Sequence, residues 1–307
     1  MRAEERMIPA AGMTAPTPWM HLSFVFLLAV SFVLWRHSLA ATLMLTLEND
    51  AYTHILLILP LSCVLIYVDR DRLRLSSKPN SGTGSVTLVG ALLIAAFSKW
   101  GSGLTSDVRL SLSMLGLVTW WIGVLILSFG ARAVRSVLFP VGFLLLIVPL
   151  PESRATWIIE FLQQQSATAA RIMFRATGVP VTQDGIMVSI PGLDIEVARA
   201  CSSIRSSLIL VITTMVLAHL LLRSWWRKIL LVAIAIPLSF VKNGFRIFVI
   251  SELGTRVDPS FFDGRLHHHG GIVFLTIAIG AVVALLWVLR CTEAPTHQKL
   301  LLSTVRE

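Results

Sequence analysis

In the run Ala200-Cys201-Ser202-Ser203-Ile204-Arg205-Ser206, a thiol falls where an alternating, strand-like stretch ends and a long apolar run begins. At the positive end of a helix, beside arginine, a cysteine is set for a lowered pKa and a nucleophilic thiolate. The competing reading is a buried structural cysteine, the ordinary fate of a single Cys in an apolar protein. Further along, Lys242, Asn243 and Arg246 fall near one end of another apolar run. Ionisable groups at such depth are costly and face a protein interior or a wet cavity. Asn243 and Arg246 share a helix face. Lys242 is expected to snorkel to the headgroups, and for Arg246 an anionic-lipid contact is the other reading. His267, His268 and His269 precede Gly270-Gly271 at the start of a last apolar run. A neutral imidazole can take a thiol proton and return it to a leaving amine. Three consecutive histidines cannot easily converge on one ion, and no metal-ligand spacing accompanies them, so neither a metal nor any other cofactor is expected. A solvated polar cluster is the alternative for at least two of the three. Thiol, imidazole and guanidinium are the parts of an acyl-transfer site: nucleophile, proton shuttle and oxyanion stabiliser. No G-x-S-x-G, H-E-x-x-H or Gly-rich phosphate loop competes with them. Cys63 and Cys291 read as packing residues.

These groups have to be positioned by a polytopic membrane protein. The 307 residues are 55% hydrophobic and 14% charged, with a mean hydropathy of +0.77, too little polar surface to cover a water-soluble body. Disordered, collagen-like and disulfide-scaffold classes are excluded by the apolar fraction and the three cysteines. A net charge of +9 would suggest nucleic acid in a soluble chain, but the basic residues sit mostly in short loops between apolar runs. The expected fold is all-α with eight spans, near 19–35, 54–68, 85–100, 108–129, 136–150, 203–222, 228–250 and 270–290. Expected domains are an N-terminal tail (1–18), one membrane-embedded domain (19–292) and a C-terminal tail (293–307).

Arg70, Arg72, Arg74 and Lys78, then Arg132 and Arg135, then Arg223, Arg227 and Lys228, and finally Arg290 and Lys299 fall on one side. The positive-inside rule makes that side cytoplasmic, with both termini inside. Loops 36–53, 101–107, 151–202 and 251–269 are then extracytoplasmic. Cys201, Arg246 and His267–His269 therefore converge on one membrane face from three different spans. Segment 151–202 is expected to be structured. Residues 155–176 have helical apolar spacing, with Glu160, Gln163, Gln164 and Arg171 around the rest of the turn, suiting a helix at the membrane interface or over the span ends. A hairpin about Asp184-Gly185, a second turn at Pro191-Gly192 and a half-buried strand (Leu193, Ile195, Val197) then lead to Cys201. An inert extracellular cap is the alternative for this element.

The chain resembles the exosortase/archaeosortase family of membrane-embedded cysteine transpeptidases. Ala200–Ser206 resembles the family's A-C-S-G-I-R-S block, and Asn243-Gly244-Phe245-Arg246-Ile247 is similar to its N-x-x-R-[IV] block. His267, four residues before Gly271, fits its H-x-x-x-G segment, which favours it over its neighbours. Upstream, Asp50-Ala51-Tyr52-Thr53-His54 with Pro60 is similar to the family's D-x-Y-S-H…P block, and Pro149-Leu150-Pro151 adds a further echo. The resemblance covers roughly 45–290. It implies cleavage of C-terminal sorting signals (a short PEP-type motif, a transmembrane helix and a basic tail) and transfer to a cell-surface acceptor, often where extracellular polysaccharide is made. Carried over, Cys201 is the nucleophile, Arg246 the transition-state cation and His267 the acid/base. Arg205, Asn243 and His54 are then candidates for substrate binding or pKa tuning. Partners are the membrane-anchored protein substrates and the bilayer of a bacterial inner membrane. Ser203 stands where the family usually has Gly, and Arg199 where Glu is common. A membrane carrier or polysaccharide-export component, binding an anionic ligand with Arg246 and the histidines, is the alternative from another class.

Overall fold

In the computed structural model, residues 18–75, 81–197, 204–261 and 265–293 are described. They form twelve helices, in order α1 (Pro18–Leu34), α2 (Arg36–Glu48), α3 (Ile55–Val68), α4 (Arg70–Leu75), α5 (Ser81–Trp100), α6 (Ser106–Phe129), α7 (Ala131–Ser136), α8 (Leu138–Phe143), α9 (Glu152–Ala176), α10 (Ile204–Leu221), α11 (Trp225–Arg256) and α12 (Arg265–Cys291). Three short strands, β1 (Thr182–Asp184), β2 (Met187–Ile190) and β3 (Leu193–Glu196), lie between α9 and α10. The helical class with one small sheet is as expected. Among the described residues five helices are long and apolar enough to cross a membrane, or up to seven if two bent pairs each count as one span, which does not confirm the expected eight.

The differences have local causes. The expected loop over 36–53 is instead mostly α2, because only the polar Arg36-His37-Ser38 interrupts a run of good helix formers, and the chain bends by 68° between Leu34 and Arg36 rather than leaving the helix. The expected span 136–150 is broken into α7, α8 and a 3-10 turn at Leu144–Ile147. Within α10, the apolar stretch Arg205–Leu221 falls short of a crossing. Helix α12 starts at Arg265, so the backbone of all three histidines is helical.

The chain divides into two compact units, residues 1–45 with 55–150, and 46–54 with 151–307. In the first, α5 and α6 pack backbone to backbone. A Cβ on Gly84 would stand 2.8 Å from the main chain of Leu127, so only glycine fits there. Trp121 Nε1 donates to Ser31 Oγ at 3.0 Å and Trp120 Nε1 to the Leu27 carbonyl at 3.1 Å, tying α1 to α6. Arg109 donates to the carbonyls of Ser98, Lys99, Gly101 and Leu104, satisfying the orphan acceptors at the end of α5.

In the second unit the sheet runs β1-β2-β3, antiparallel throughout. Asp184 pairs with Met187, so the first connection is Gly185-Ile186, one residue later than the Asp-Gly dipeptide, with Gly185 at φ +57°. Ile190 pairs with Leu193 around Pro191-Gly192, where Gly192 takes φ +85° as the second central residue of the turn. Val188, Ile190 and Val197 pack on Phe174 and Ala170 of α9 and Ile247 of α11. Leu210 and Ala218 of α10, Leu231 of α11 and Ala278, Val282 and Leu286 of α12 form a second core. Helices α9 and α11 meet at Gly244: a Cβ there would stand 2.6 Å from Ala169 Cβ and 2.8 Å from the Ala170 nitrogen. Cys63 and Cys291, expected as packing residues, are exposed on α3 and α12; an apolar helix face needs no protein cover in a bilayer, so a small thiol there fills no core.

At the far end of this unit Glu293 accepts the backbone N–H groups of Ser224 (3.0 Å) and Arg223 (3.1 Å) and pairs with Arg227 at 3.5 Å. Partial desolvation pulls its carboxyl upward, but those N–H groups and the Arg227 guanidinium outweigh it and hold the pKa below the usual glutamate value. A depressed acid stabilises the fold above its unfolded pKa and loses that contribution as pH falls through the folded value. Glu293→Gln should therefore lower the melting temperature in detergent at about pH 7, with the deficit closing as pH is brought towards about 4. Gly244→Leu should cost about 1–3 kcal/mol or abolish accumulation in the membrane. Gly280→Ala, where nothing lies within 4 Å of the added methyl, should stay within about 1 kcal/mol of the parent by the same melting measurement.

Candidate active site

The described residues reach the Cys block from both sides. On the sheet side, Val197 is fully buried and its nitrogen donates to the Ile186 carbonyl at 3.0 Å. Its own carbonyl accepts Gln163 Nε2 at 2.7 Å. Gln163 belongs to the polar residues placed around the outside of the 155–176 helix by periodicity, yet it is 4% exposed. It pins the end of the sheet to α9, four residues before Cys201. Cys201 itself lies outside the described residues, as do Arg199 and Ser203; the side chains of His267, His268 and His269 do too.

On the helix side, α10 begins at Ile204, and its first turn is engaged twice. Arg205 forms an ion pair with Asp50, in the 3-10 turn Asp50–Tyr52. Asn49 caps that turn by accepting the Ala51 N–H at 3.0 Å; Tyr52 is buried, and half-buried His54 places Nδ1 3.0 Å from the Ala51 carbonyl. The D-x-Y-x-H stretch is thus brought against the start of α10, a placement its weak sequence signal did not carry. With side chains 52% and 79% exposed, the Arg205–Asp50 pair is screened and contributes at most about 1 kcal/mol.

The second engagement is Lys242 Nζ donating to Ser206 Oγ. Snorkelling does not occur: Lys242 is 6% exposed. The reason is geometric. Residue 242 faces α10 rather than lipid, and a hydroxyl stands within reach. Arg246, one turn further along, is 8% exposed. Asn243 is fully buried, and neither its Oδ1 nor its Nδ2 has a hydrogen-bond partner among the described residues. Ser239, Lys242, Asn243 and Arg246 line one polar stripe of α11.

Helix α12 joins through Phe274, whose ring meets Phe245 edge-on at 5.8 Å. The backbone of His267 stands seven residues before Phe274, roughly 10 Å along the helix axis. By backbone, then, His267 and Arg246 come from helices packed together but sit about two turns apart in height. Helices α10, α11 and α12 pack mutually, so three of the four sequence blocks are carried by one helix cluster, with the fourth against α10.

Sequence reasoning missed Gln163 and the inward turn of Lys242. The first was hidden because one buried glutamine does not disturb an amphipathic pattern, and the second because depth along a span does not say which way a side chain faces. Gln163→Leu, which orphans the Val197 carbonyl, should cost about 1–3 kcal/mol in detergent melts, while Gln164→Leu at the neighbouring exposed position should be near neutral.

A sequence model described as transmembrane exosortase (Exosortase_EpsH) matches residues 45–284. No curated protein and no solved structure matches the chain. The match takes in the Asp50–His54 turn, the Cys block, the polar stripe of α11 and the start of α12, and on that extent the chain belongs to the transmembrane exosortase family.

Proposed function

We propose that the chain is a membrane-embedded thiol peptidase or transpeptidase that cleaves C-terminal sorting signals of exported, membrane-anchored proteins at the outer face of a bacterial inner membrane, both of its own termini being cytoplasmic. The observation that carries this reading is the family match over 45–284, in which the Cys block directly precedes α10 while Asn243 and Arg246 are buried on the neighbouring helix.

His267 takes the Cys201 thiol proton, and the thiolate sulfur attacks the scissile carbonyl carbon. The C=O π pair moves onto oxygen, giving a tetrahedral oxyanion. Arg246 faces that charge from a desolvated position, where a guanidinium acts far more strongly than in water. Collapse expels the amine, which takes the proton from the His267 imidazolium, and leaves a thioester on Cys201. An acceptor then attacks the thioester while neutral His267 takes its proton, and the departing thiolate is reprotonated from the imidazolium; water as acceptor gives hydrolysis, a cell-surface amine or hydroxyl gives transfer. Asn243 holds the substrate backbone, and Arg205 and His54 tune the surroundings of the thiol. Two-dimensional confinement of both partners supplies part of the rate, because the substrate's own helix brings the scissile bond to the right depth.

Buried cations on α11 also suit a carrier for an anionic ligand, the competing reading. The two part at the sulfur. Cys201→Ala should abolish maturation of a tagged, sorting-signal-bearing substrate by a factor of about 10³ or more without loss of the protein from the membrane, and mass spectrometry of the trapped wild type should find a thioester on Cys201. Normal maturation by that variant, or full function of Cys201→Ser, would rule out the thiol mechanism in favour of the carrier.

A further inference from the structure

Lys242 has no place in the acyl-transfer scheme and lies outside the N-x-x-R block, yet it is among the most expensive residues in the molecule. Its ammonium is buried in the 32-residue α11, and among the described residues its one hydrogen bond goes to a neutral hydroxyl, Ser206 Oγ. Among the described residues no carboxylate lies within ion-pair distance of it. One turn away is a second buried cation, Arg246. A buried ammonium beside a like charge is repelled and loses its hydration, which favours an anion at Lys242.

Between them in sequence sits Asn243, a fully buried amide with both polar atoms unpartnered among the described residues. Buried polar groups are nearly always satisfied, and an unsatisfied pair calls for a ligand offering complementary groups. An amide presents one acceptor and two donors. The oxygens of a phosphodiester could answer the cations but offer no donor to Asn243 Oδ1. A peptide offers both a backbone N–H and a C=O, and an acidic side chain adds the anion. The combination therefore selects among anionic ligands.

We infer that Lys242 and Asn243 form a subsite that receives an acidic residue of the peptide substrate close to the scissile bond: Asn243 pairs with that residue's backbone and Lys242 with its carboxylate. The inference rests on the proposed peptidase reading and adds a specificity determinant to it. Ser206 holds the ammonium in the unliganded site. No bond changes in the subsite, so Lys242 acts on substrate selection and leaves the chemistry to the thiol.

The experiment uses the full-length protein in vesicles of zwitterionic lipid with a tagged substrate. Each Asp and Glu within about six residues of the cleavage point is replaced in turn by Asn or Gln, and kcat/KM is compared with the parent substrate. The ratio of acidic to amide substrate is independent of the fraction of enzyme that is folded. In the wild type one position should give a ratio of about thirty or more. In Lys242→Gln that ratio should collapse to about one, and Lys242→Glu should prefer the same substrate position changed to Lys. If Lys242→Gln retains no activity, Lys242→Arg is read instead: a preserved ratio supports the subsite and a lost one overturns it. Ratios near one at every position in the wild type overturn it as well, as does a rate that rises on adding phosphatidylglycerol while no substrate position matters, which would assign the cations to lipid. Processing that persists in Cys201→Ala would instead sink the thiol mechanism while leaving the wild-type ratio to decide the subsite.

Discussion

Burying a lysine, an asparagine and an arginine along one stripe of a membrane-length helix is the constraint on which the second unit depends. A bilayer offers these groups nothing, so protein must surround them. Residues 242–246 of α11 show how. Successive side chains on a helix step around its axis by about 100°, and this short stretch touches three neighbours. Lys242 meets α10 through Ser206, Gly244 lets α9 come to backbone contact, and Phe245 meets α12 through Phe274. The polar stripe is therefore enclosed by the very contacts that assemble the helices, and the close approach at Gly244 cannot be relaxed without loosening that enclosure.

The same contacts hold both flanks of the Cys block. Val197 is fixed by the sheet and by Gln163; Ser206 is fixed by Lys242 and Arg205 by Asp50. A nucleophile needs its flanks held rather than an extensive core of its own, because misplacement by about 1 Å is enough to lose much of the benefit of proximity. The small sheet acquires a purpose from this. With Val188 and Val197 buried against Phe174 and Ile247, it is fastened to both α9 and α11.

Much of this was legible in the sequence because the signals were local. Alternation at Leu193, Ile195 and Val197, the turns at Gly185 and Gly192, and the helical spacing of 155–176 each depend on residues close in the chain, and each has its counterpart in the fold. What failed depended on direction or on distant partners. Apolar residues face lipid and protein alike, so hydropathy did not reveal that Cys63 and Cys291 are exposed or that Lys242 turns inward. Span counting meets a related difficulty: a bend such as that between α1 and α2 breaks a helix without breaking its composition. Of the candidate residues, Arg246 and Asn243 were found by depth and spacing, Arg205 and His54 by motif, and Gln163 by neither.

Two arginines are carried over from the motifs, Arg205 from the Cys block and Arg246 from the N-x-x-R block, and their settings differ. Arg205 is half exposed and carries Asp50 as a counterion, so its field on any neighbour is both screened by water and cancelled by the carboxylate. Arg246 is desolvated on the polar stripe, with a second cation a turn away. In that low-dielectric position a charge keeps several times the strength it has at a surface. The two blocks already suggest different roles for them, and burial separates them as well. In the proposed mechanism the oxyanion falls to the buried cation on α11, while the one on α10 holds the Asp50 turn against the helix start. Buried charge and close packing thus fall on the same helix, so the cations of α11 depend on the contacts that hold the unit together.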